Sequence, residues 1–295
     1  MFVPATPAKG FDVCVVGSAN LDLVATTTRI PQPGETVLGS DYAEHAGGKG
    51  LNQAVAASRS GARTAFVGAL GTDAAGDHLR RVLADDRIDI SRLNVVERPT
   101  GRALIVVDQD GENTIVVIPG ANATVEAPEV LPQSVVVLAQ LEIPIDVVES
   151  VFSTARRAGS ITVLNPAPAA QLSPALIALC NLVVPNQHEL EQLGGAEALL
   201  GTGCGTVVVT RGGAGVDVVS REGTRHIPAF DVDPIDTTGA GDAFCGSLSA
   251  RLAAGDDLYD AVRWAAAAGA LATTVRGAVP AQPTAAAIRL LLRMA

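Results

Sequence analysis

Six short apolar runs mark the chain: Val13–Val16, Ala65–Val67, Val135–Leu138, Thr162–Leu164, Leu182–Val184 and Val207–Val209. None keeps the strict apolar–polar alternation of a strand with one wet face. Runs of this kind are expected to be buried on both sides, as in a parallel sheet covered by helices. Ala-rich stretches of helical character lie between them. The expected fold class is α/β, in three α/β/α layers around a mostly parallel central sheet. Two segments break the rhythm. Leu23–Glu44 and Thr100–Pro119 carry strand-like residues around Pro-Gly and Asp-Gly turns, with no helix between. Thr100–Val107 and Asn113–Ile118 read as a hairpin about Gln109-Asp110-Gly111. The segments at about 23–44 and 100–119 are therefore expected to form a small antiparallel β flap on one domain spanning 1–295.

Composition narrows the class of function. With 48% apolar residues among 295, the chain can bury a large core. A formal net charge of −10 argues against a nucleic-acid backbone as partner. Cys14, Cys180, Cys204 and Cys245 are scattered, with no CxxC pair. Met1–Gly10 lacks the apolar stretch of a secretory leader, and no apolar run reaches the ~18 residues of a membrane span. A cytoplasmic protein is expected. His45, His78, His188 and His226 show no metal-ligand spacing, although His45 lies close to the glycines at 47 and 48.

Two glycine clusters carry the chemistry. Asp236-Thr237-Thr238-Gly239-Ala240-Gly241-Asp242 runs into an i, i+4, i+8 apolar row, Phe244, Leu248 and Leu252, with Gly255 placed as a C-terminal cap. A glycine turn on a helix N-terminus presents free N–H groups and the positive end of the dipole, which suits an anion. A carboxylate there is better employed as a base than as an anion ligand, so Asp242 beside such a site points to phosphoryl transfer onto a hydroxyl. An ordinary N-capped helix is the plain alternative for this stretch alone. The second cluster, Gly47-Gly48-Lys49-Gly50-Leu51-Asn52-Gln53, opens another helix that ends near Arg59 and Gly61. Lys49 is one of only two lysines among 21 basic residues, the other being Lys9. Gly50 follows that lysine where a Walker A loop would have Ser or Thr, so this is not a P-loop.

With these motifs stand Val16-Gly17-Ser18-Ala19-Asn20-Leu21-Asp22, Pro33-Gly34-Glu35-Thr36-Val37, Gly111-Glu112-Asn113 leading to Gly120-Ala121-Asn122, Leu164-Asn165-Pro166-Ala167-Pro168, Pro185-Asn186-Gln187-His188-Glu189 and Thr210-Arg211-Gly212-Gly213. In this order the chain resembles the PfkB-type, ribokinase-like carbohydrate kinases, over roughly Phe11 to Pro280. The resemblance implies ATP-dependent phosphorylation of a sugar, D-ribose at O5 first, with other pentoses, ketohexoses and nucleosides as alternatives. No aromatic residue stands in the sugar motifs to stack on a nucleobase, which lowers the nucleoside option. A non-catalytic sugar-binding sensor is the alternative from another class, and the intact Asp242 beside its glycine turn argues against it. A Rossmann dehydrogenase is disfavoured because Gly17-Ser18-Ala19-Asn20 lacks GxGxxG.

The resemblance also implies residue roles. Asn20, Asp22, Gly48, Lys49, Asn52 and Glu142 would bind sugar hydroxyls; an Asx turn is the plain alternative for Asn20 and Asp22. Gly239, Ala240 and Gly241 would form the anion hole and Asp242 the base. Asn186, Thr210, Arg211, Gly212, Gly213, Ala214, Gly215, Gly241 and Ala266 would line ATP. Asn186 and Glu189 would organise Mg2+ through water, as suits its strong hydration. Asp236, with carbonyls of Thr238, Ala272, Val275 and Gly277 and the position of Ala281, would hold K+. The flap would be a lid over the sugar and the surface of a homodimer. Three positions depart from the family pattern. Ala281 stands where a serine is expected, Ala266 where Asn or His meets the adenine, and Arg102 where the lid hairpin has a small apolar residue. Arg102 either alters sugar preference or faces solvent.

Overall fold

The computed structural model describes residues 10–295, so the reading of the extreme N-terminus lies outside the described residues up to Lys9. The strands are β1 (Phe11–Val16), β2 (Asn20–Thr27), β3 (Gly39–Gly47), β4 (Thr64–Gly71), β5 (Asp89–Val96), β6 (Gly101–Val107), β7 (Asn113–Ile118), β8 (Ser134–Ala139), β9 (Ile161–Leu164), β10 (Leu182–Val183), β11 (Thr206–Thr210), β12 (Val216–Ser220) and β13 (Gly223–Ile227). The helices are α1 (Lys49–Arg59), α2 (Ala74–Asp85), α3 (Ile145–Arg157), α4 (Pro174–Leu179), α5 (Gln187–Gln192), α6 (Ala196–Thr202), α7 (Ala240–Ala253), α8 (Leu258–Ala272), α9 (Ala278–Ala281) and α10 (Ala285–Met294).

Nine strands form the large sheet, in the order β13-β12-β11-β10-β9-β8-β1-β4-β5. All pairs from β11 to β5 are parallel, whereas β12 and β13 extend the edge as an antiparallel hairpin. Each of the six apolar runs falls on one of the parallel strands. Their lack of alternation has the expected cause. Val13 and Val15 of β1 join a core with α1, α2, α7 and α8, while Cys14 and Val16 join the core under α3, α4 and α6. Both faces are dry, so each position must be apolar. Phe66 anchors the first core and Phe152 the second, both fully buried. Burying a side chain of that size contributes about 1.5–3 kcal/mol. Strands β5 and β13 have no apolar run to announce them. They are the outer strands, and their exposed positions are mostly polar or glycine: Ser91, Arg92 and Asn94 beside Val95 on β5, and Gly223, Thr224, Arg225 and His226 on β13.

The second sheet has four strands, ordered β3-β2-β6-β7. Its outer pairs, β2–β3 and β6–β7, are antiparallel as expected, but its central pair, β2–β6, is parallel, from Asn20 opposite Gly101 to Thr26 opposite Val107. The β6–β7 hairpin closes through the Asp108 N–H to the Glu112 carbonyl, 3.0 Å. The flap also starts earlier than Leu23: β2 begins at Asn20, only four residues beyond β1. Asn20 and Asp22 thus stand where the flap leaves the large sheet.

The placement of β1 creates the crevice. It lies between β8 and β4, so the chain leaves it to one side for β4 and returns on the other for β8. Connections after the two strands diverge there, and open α/β sheets bind ligands at such a switch point, beyond the carboxyl ends of the strands. Glu142 follows β8, Asn165 follows β9, and Asn186 bridges to Thr210 at the end of β11.

Candidate active site

At the base of the flap, Glu142 is bound to two elements at once. The Ser18 hydroxyl donates to its Oε2, and so does the Lys49 backbone N–H at 3.1 Å. One carboxylate oxygen therefore ties the β1 exit to the start of α1, leaving Oε1 for a ligand. Asn20 is buried, and its Oδ1 accepts from Asn122 Nδ2 at 2.7 Å. Asn122 Oδ1 in turn accepts from the Ala19 N–H. The Asn20 carboxamide is thereby oriented with its NH2 group free. Among the described residues no cation pairs with Asp22. Burial, then the carboxylates of Glu142 and Asp242, push its pKa up to about 7. His45 is its cross-strand neighbour in the β2–β3 register.

Asp242 is buried in the first turn of α7 and accepts two bonds from α1. Asn52 Nδ2 donates to Oδ2 and Gln53 Nε2 to Oδ1, each at 2.9 Å. Gly239, at the N-cap of α7, has φ 76, a left-handed conformation natural to glycine, and this turns the backbone so that α7 starts in the crevice. Lys49 lies among acids. Burial draws its pKa down, but Asp242, Glu142 and Glu189 more than reverse this, and the ammonium is held above the ordinary lysine value.

Two cavities meet at the start of α7. The smaller, about 240 Å³, is lined by Lys49, Asn165, Asn186, Glu189, Gly239 and Asp242 among others. The larger, about 540 Å³, is lined by Thr210, Gly212, Gly213, Gly215, Ala266, Phe230, Val232, Pro234 and neighbouring residues of α7 and α8. Thr210, Thr237 and Gly241 belong to both. An elongated ligand in the large apolar cavity could thus present its end to the polar one, at free N–H groups of a helix start.

Several expected residues sit differently. Arg211 and Ala214 do not line the large cavity; the Arg211 guanidinium pairs with Asp217 of β12, 2.8 Å away. Asn186 and Glu189 line the small cavity and form a capping box on α5, each side chain accepting the other's backbone N–H at 2.8–2.9 Å. Burial raises the Glu189 pKa. Arg102 neither faces solvent freely nor reaches the sugar side. In the parallel register Ala103 is opposite Asp22, so Arg102 points to the other face of the flap. There it donates to the Thr100 carbonyl and pairs with Asp73, the N-cap of α2, at 3.1 Å.

The expected cation loop is closed by Asp236. Its Oδ1 accepts from the Thr238 N–H at 2.9 Å and its Oδ2 from the Gly277 N–H at 2.8 Å. Burial would raise its pKa, but these N–H groups hold it below the usual carboxylate value. Ala281 packs with Ala240, Ala243 and Ala272, so the missing hydroxyl is replaced by an apolar contact.

Gln53, Gln140, Asn165 and Asn122 were not singled out from the sequence as site residues. Gln53 ends the glycine motif of α1, Asn165 stands in Leu164-Asn165-Pro166, and Gln140 is a polar residue closing an apolar strand, so each carried a local signal. Phe230, Val232 and Pro234, which wall the large cavity, carried none.

Comparison with known proteins decides the family. The model of the pfkB family carbohydrate kinase matches residues 11–285. The chain belongs to this family. It is 38% identical to the ribokinase of Haemophilus influenzae over 289 residues, 92% of this chain and 94% of that one. Its fold superposes on the ribokinase of Thermotoga maritima with a TM-score of 0.89 and 33% identity, covering 96% of this chain and 99% of the other. The structure of Arabidopsis thaliana ribokinase complexed with ribose and ATP gives a TM-score of 0.88 at 29% identity, covering 97% and 100%.

Proposed function

We propose that this chain is a ribokinase, transferring the γ-phosphoryl group of ATP to O5 of D-ribose. The observation that carries the reading is the position of Asp242. It is buried at the N-terminus of α7, one residue from Gly241, where the nucleotide-sized cavity opens into the polar one. Asp242 Oδ takes the proton of the O5 hydroxyl, O5 attacks the γ-phosphorus, and the bond to the ADP bridging oxygen breaks. The N–H groups of Gly239, Gly241 and Asp242 face the negative charge that gathers on the transferring oxygens, whereas that of Ala240, expected to join them, already donates to the Thr237 carbonyl at 3.2 Å. Lys49, the cation among the acids of the small cavity, counters the same charge.

Asn20, Asp22, Asn52 and Glu142, with the backbone of Gly48 and Lys49, hold the sugar hydroxyls in this reading. Asn52 Oδ1 and Glu142 Oε1 support it, since the first is buried without a hydrogen-bond partner among the described residues and the second is left over from the Ser18 and Lys49 bonds. The adenine lies on the apolar wall of Phe230, Val232 and Ala266, reached past Gly212, Gly213 and Gly215.

The donor sets fit both cations. Glu189 keeps Oε1 free after its capping bond, and Asn186 holds that carboxylate at the small cavity, so the pair would bind Mg2+ through water. Mg2+ would neutralise charge on the phosphate oxygens. Asp236 joins the N–H groups of Thr238 and Gly277, and the carbonyls of Thr238, Ala272, Val275 and Gly277 with this carboxylate would supply the hard oxygen ligands that suit K+. The flap closes over the sugar and joins two copies in a homodimer; its outer strand exposes Ile115, Val116, Val117 and Ile118. No helix among the described residues is long and apolar enough to cross a membrane. We place the enzyme in the cytoplasm, beside its ATP supply.

The test is ATP consumption with D-ribose, 2-deoxy-D-ribose, D-fructose and adenosine, with the product located by phosphorus NMR. A 5-phosphate made fastest from ribose supports the reading. Turnover confined to another acceptor would move the assignment to that sugar or nucleoside, and no turnover with any would favour the sensor.

A further inference from the structure

Behind Asp242 lies a chain of three buried carboxamides, of which Asn165 also lines the small cavity while Gln53 and Gln140 line neither cavity. Gln53 and Gln140 are completely buried, and Asn165 nearly so. Gln53 Nε2 donates to Asp242 Oδ1 at 2.9 Å and to Asn165 Oδ1 at 3.0 Å. Gln140 Nε2 donates to Gln53 Oε1 at 2.6 Å. Asn165 Nδ2 donates to the Val184 carbonyl at 3.0 Å.

The direction of these amides follows from one atom that cannot be reversed. The Val184 carbonyl can only accept, so the Asn165 NH2 must face it and Asn165 Oδ1 must face Gln53. Gln53 must then meet that oxygen with its NH2, which leaves Gln53 Oε1 toward Gln140, whose NH2 is the donor it needs. A reversed Gln53 would set a carbonyl oxygen against both Asp242 Oδ1 and Asn165 Oδ1, and in a dry interior such contacts are costly. Gly17 makes room for the last member, because a side chain there would overlap the Gln140 carboxamide.

We infer that Gln53 is a positioning residue for Asp242, and that Gln140 and Asn165 act through it by fixing its orientation. The inference rests on Asp242 being the base. Asn52 and Gln53 each occupy one carboxylate oxygen, so the plane and rotamer of Asp242 are set before substrate arrives. The lone pair left for the hydroxyl proton then points in one direction, and no reorganisation of the carboxylate is needed during transfer. Neither Gln53 nor Gln140 needs to touch sugar or nucleotide for this effect.

Steady-state kinetics on Gln53→Leu, Gln53→Met and Gln140→Leu test it, alone and in an Asp242→Ala background, with folding checked by circular dichroism. Losing a hydrogen bond to a charged group lowers kcat by about 10- to 100-fold. That loss is expected for both Gln53 variants, with the KM of ribose and of ATP nearly unchanged. Gln140→Leu is expected to lower kcat less, in the same direction. In the Asp242→Ala background the Gln53 variants should cost nothing further, since what they position is gone. The full Gln53 penalty persisting in that background would overturn the inference, as would a raised KM at unchanged kcat. Undiminished kcat in Asp242→Ala alone would instead remove the base assignment beneath it. If Gln53→Leu does not fold, the unbranched Gln53→Met variant carries the test.

Discussion

The Asp236 carboxylate joins the Gly277 N–H at 2.8 Å, 41 residues along the chain, and through its other oxygen the Thr238 N–H. One side chain therefore couples the loop after α8 to the turn that starts α7. A cation held here would not touch substrate; it would act by fixing the N–H groups of Gly239, Gly241 and Asp242. We expect K+ added to a sodium-only buffer to raise kcat, with Li+ a poor substitute because it is too small for a set of backbone carbonyls. Asp236→Ala should weaken that response. Initial rates in the three chlorides at matched ionic strength check it, and equal rates would make the loop purely structural.

Asp242→Asn keeps the shape of the first turn of α7 but cannot take a proton. Its kcat should fall by about 10²- to 10⁴-fold, the usual loss for a general base. ATP and ribose should still bind, as calorimetric titration would show. A variant within a few-fold of the parent would exclude Asp242 as the base.

Asp22 offers a pH signature, because burial and the carboxylates of Glu142 and Asp242 lift it to about 7. Its pKa in the unfolded chain is about 3.9. The folded state thus binds this proton more tightly, so the stabilisation it confers is present at low pH and is lost as pH rises from about 4 through about 7. In the sugar-free protein, Asp22→Asn should flatten that part of the thermal-stability profile. Ribose should reverse the preference, since ionised Asp22 is the better hydroxyl acceptor. We expect the KM of ribose to climb below pH 7, and to lose that dependence in Asp22→Asn. A parallel climb in both enzymes would assign the titration elsewhere.

The outer strand of the flap, β7, is solvent-exposed along its whole length yet reads Asn-Thr-Ile-Val-Val-Ile. Apolar edge strands invite pairing, and native proteins usually blunt them with charge. Leu104 on β6 adds to the same exposed surface. Light scattering should find a dimer at micromolar concentration, and Ile115→Glu with Val117→Lys should give monomers. A parent that stays monomeric would release the flap from this role.

The local part of this protein was legible in the sequence. Six apolar runs became six strands because burial on both faces leaves a residue no polar choice, a constraint felt one position at a time. The glycine clusters at 47–50 and 239–241 announced helix starts because backbone geometry at such turns depends on a few adjacent residues. What pairs with what was decided only in three dimensions. Nothing near Asn20 says that β2 runs parallel to β6, some eighty residues later, and that pairing turns Arg102 away from the sugar and onto Asp73. That Asn186 and Glu189 cap α5 with each other's backbone N–H while lining the small cavity is visible only in three dimensions. Gln53 meets Asp242 across 189 residues, and Gln140 across 87. A carboxamide carries no periodicity and little composition bias. Its role depends on which donor or acceptor the fold sets opposite it, and only the packing of α1 against α7 and the end of β8 supplies that.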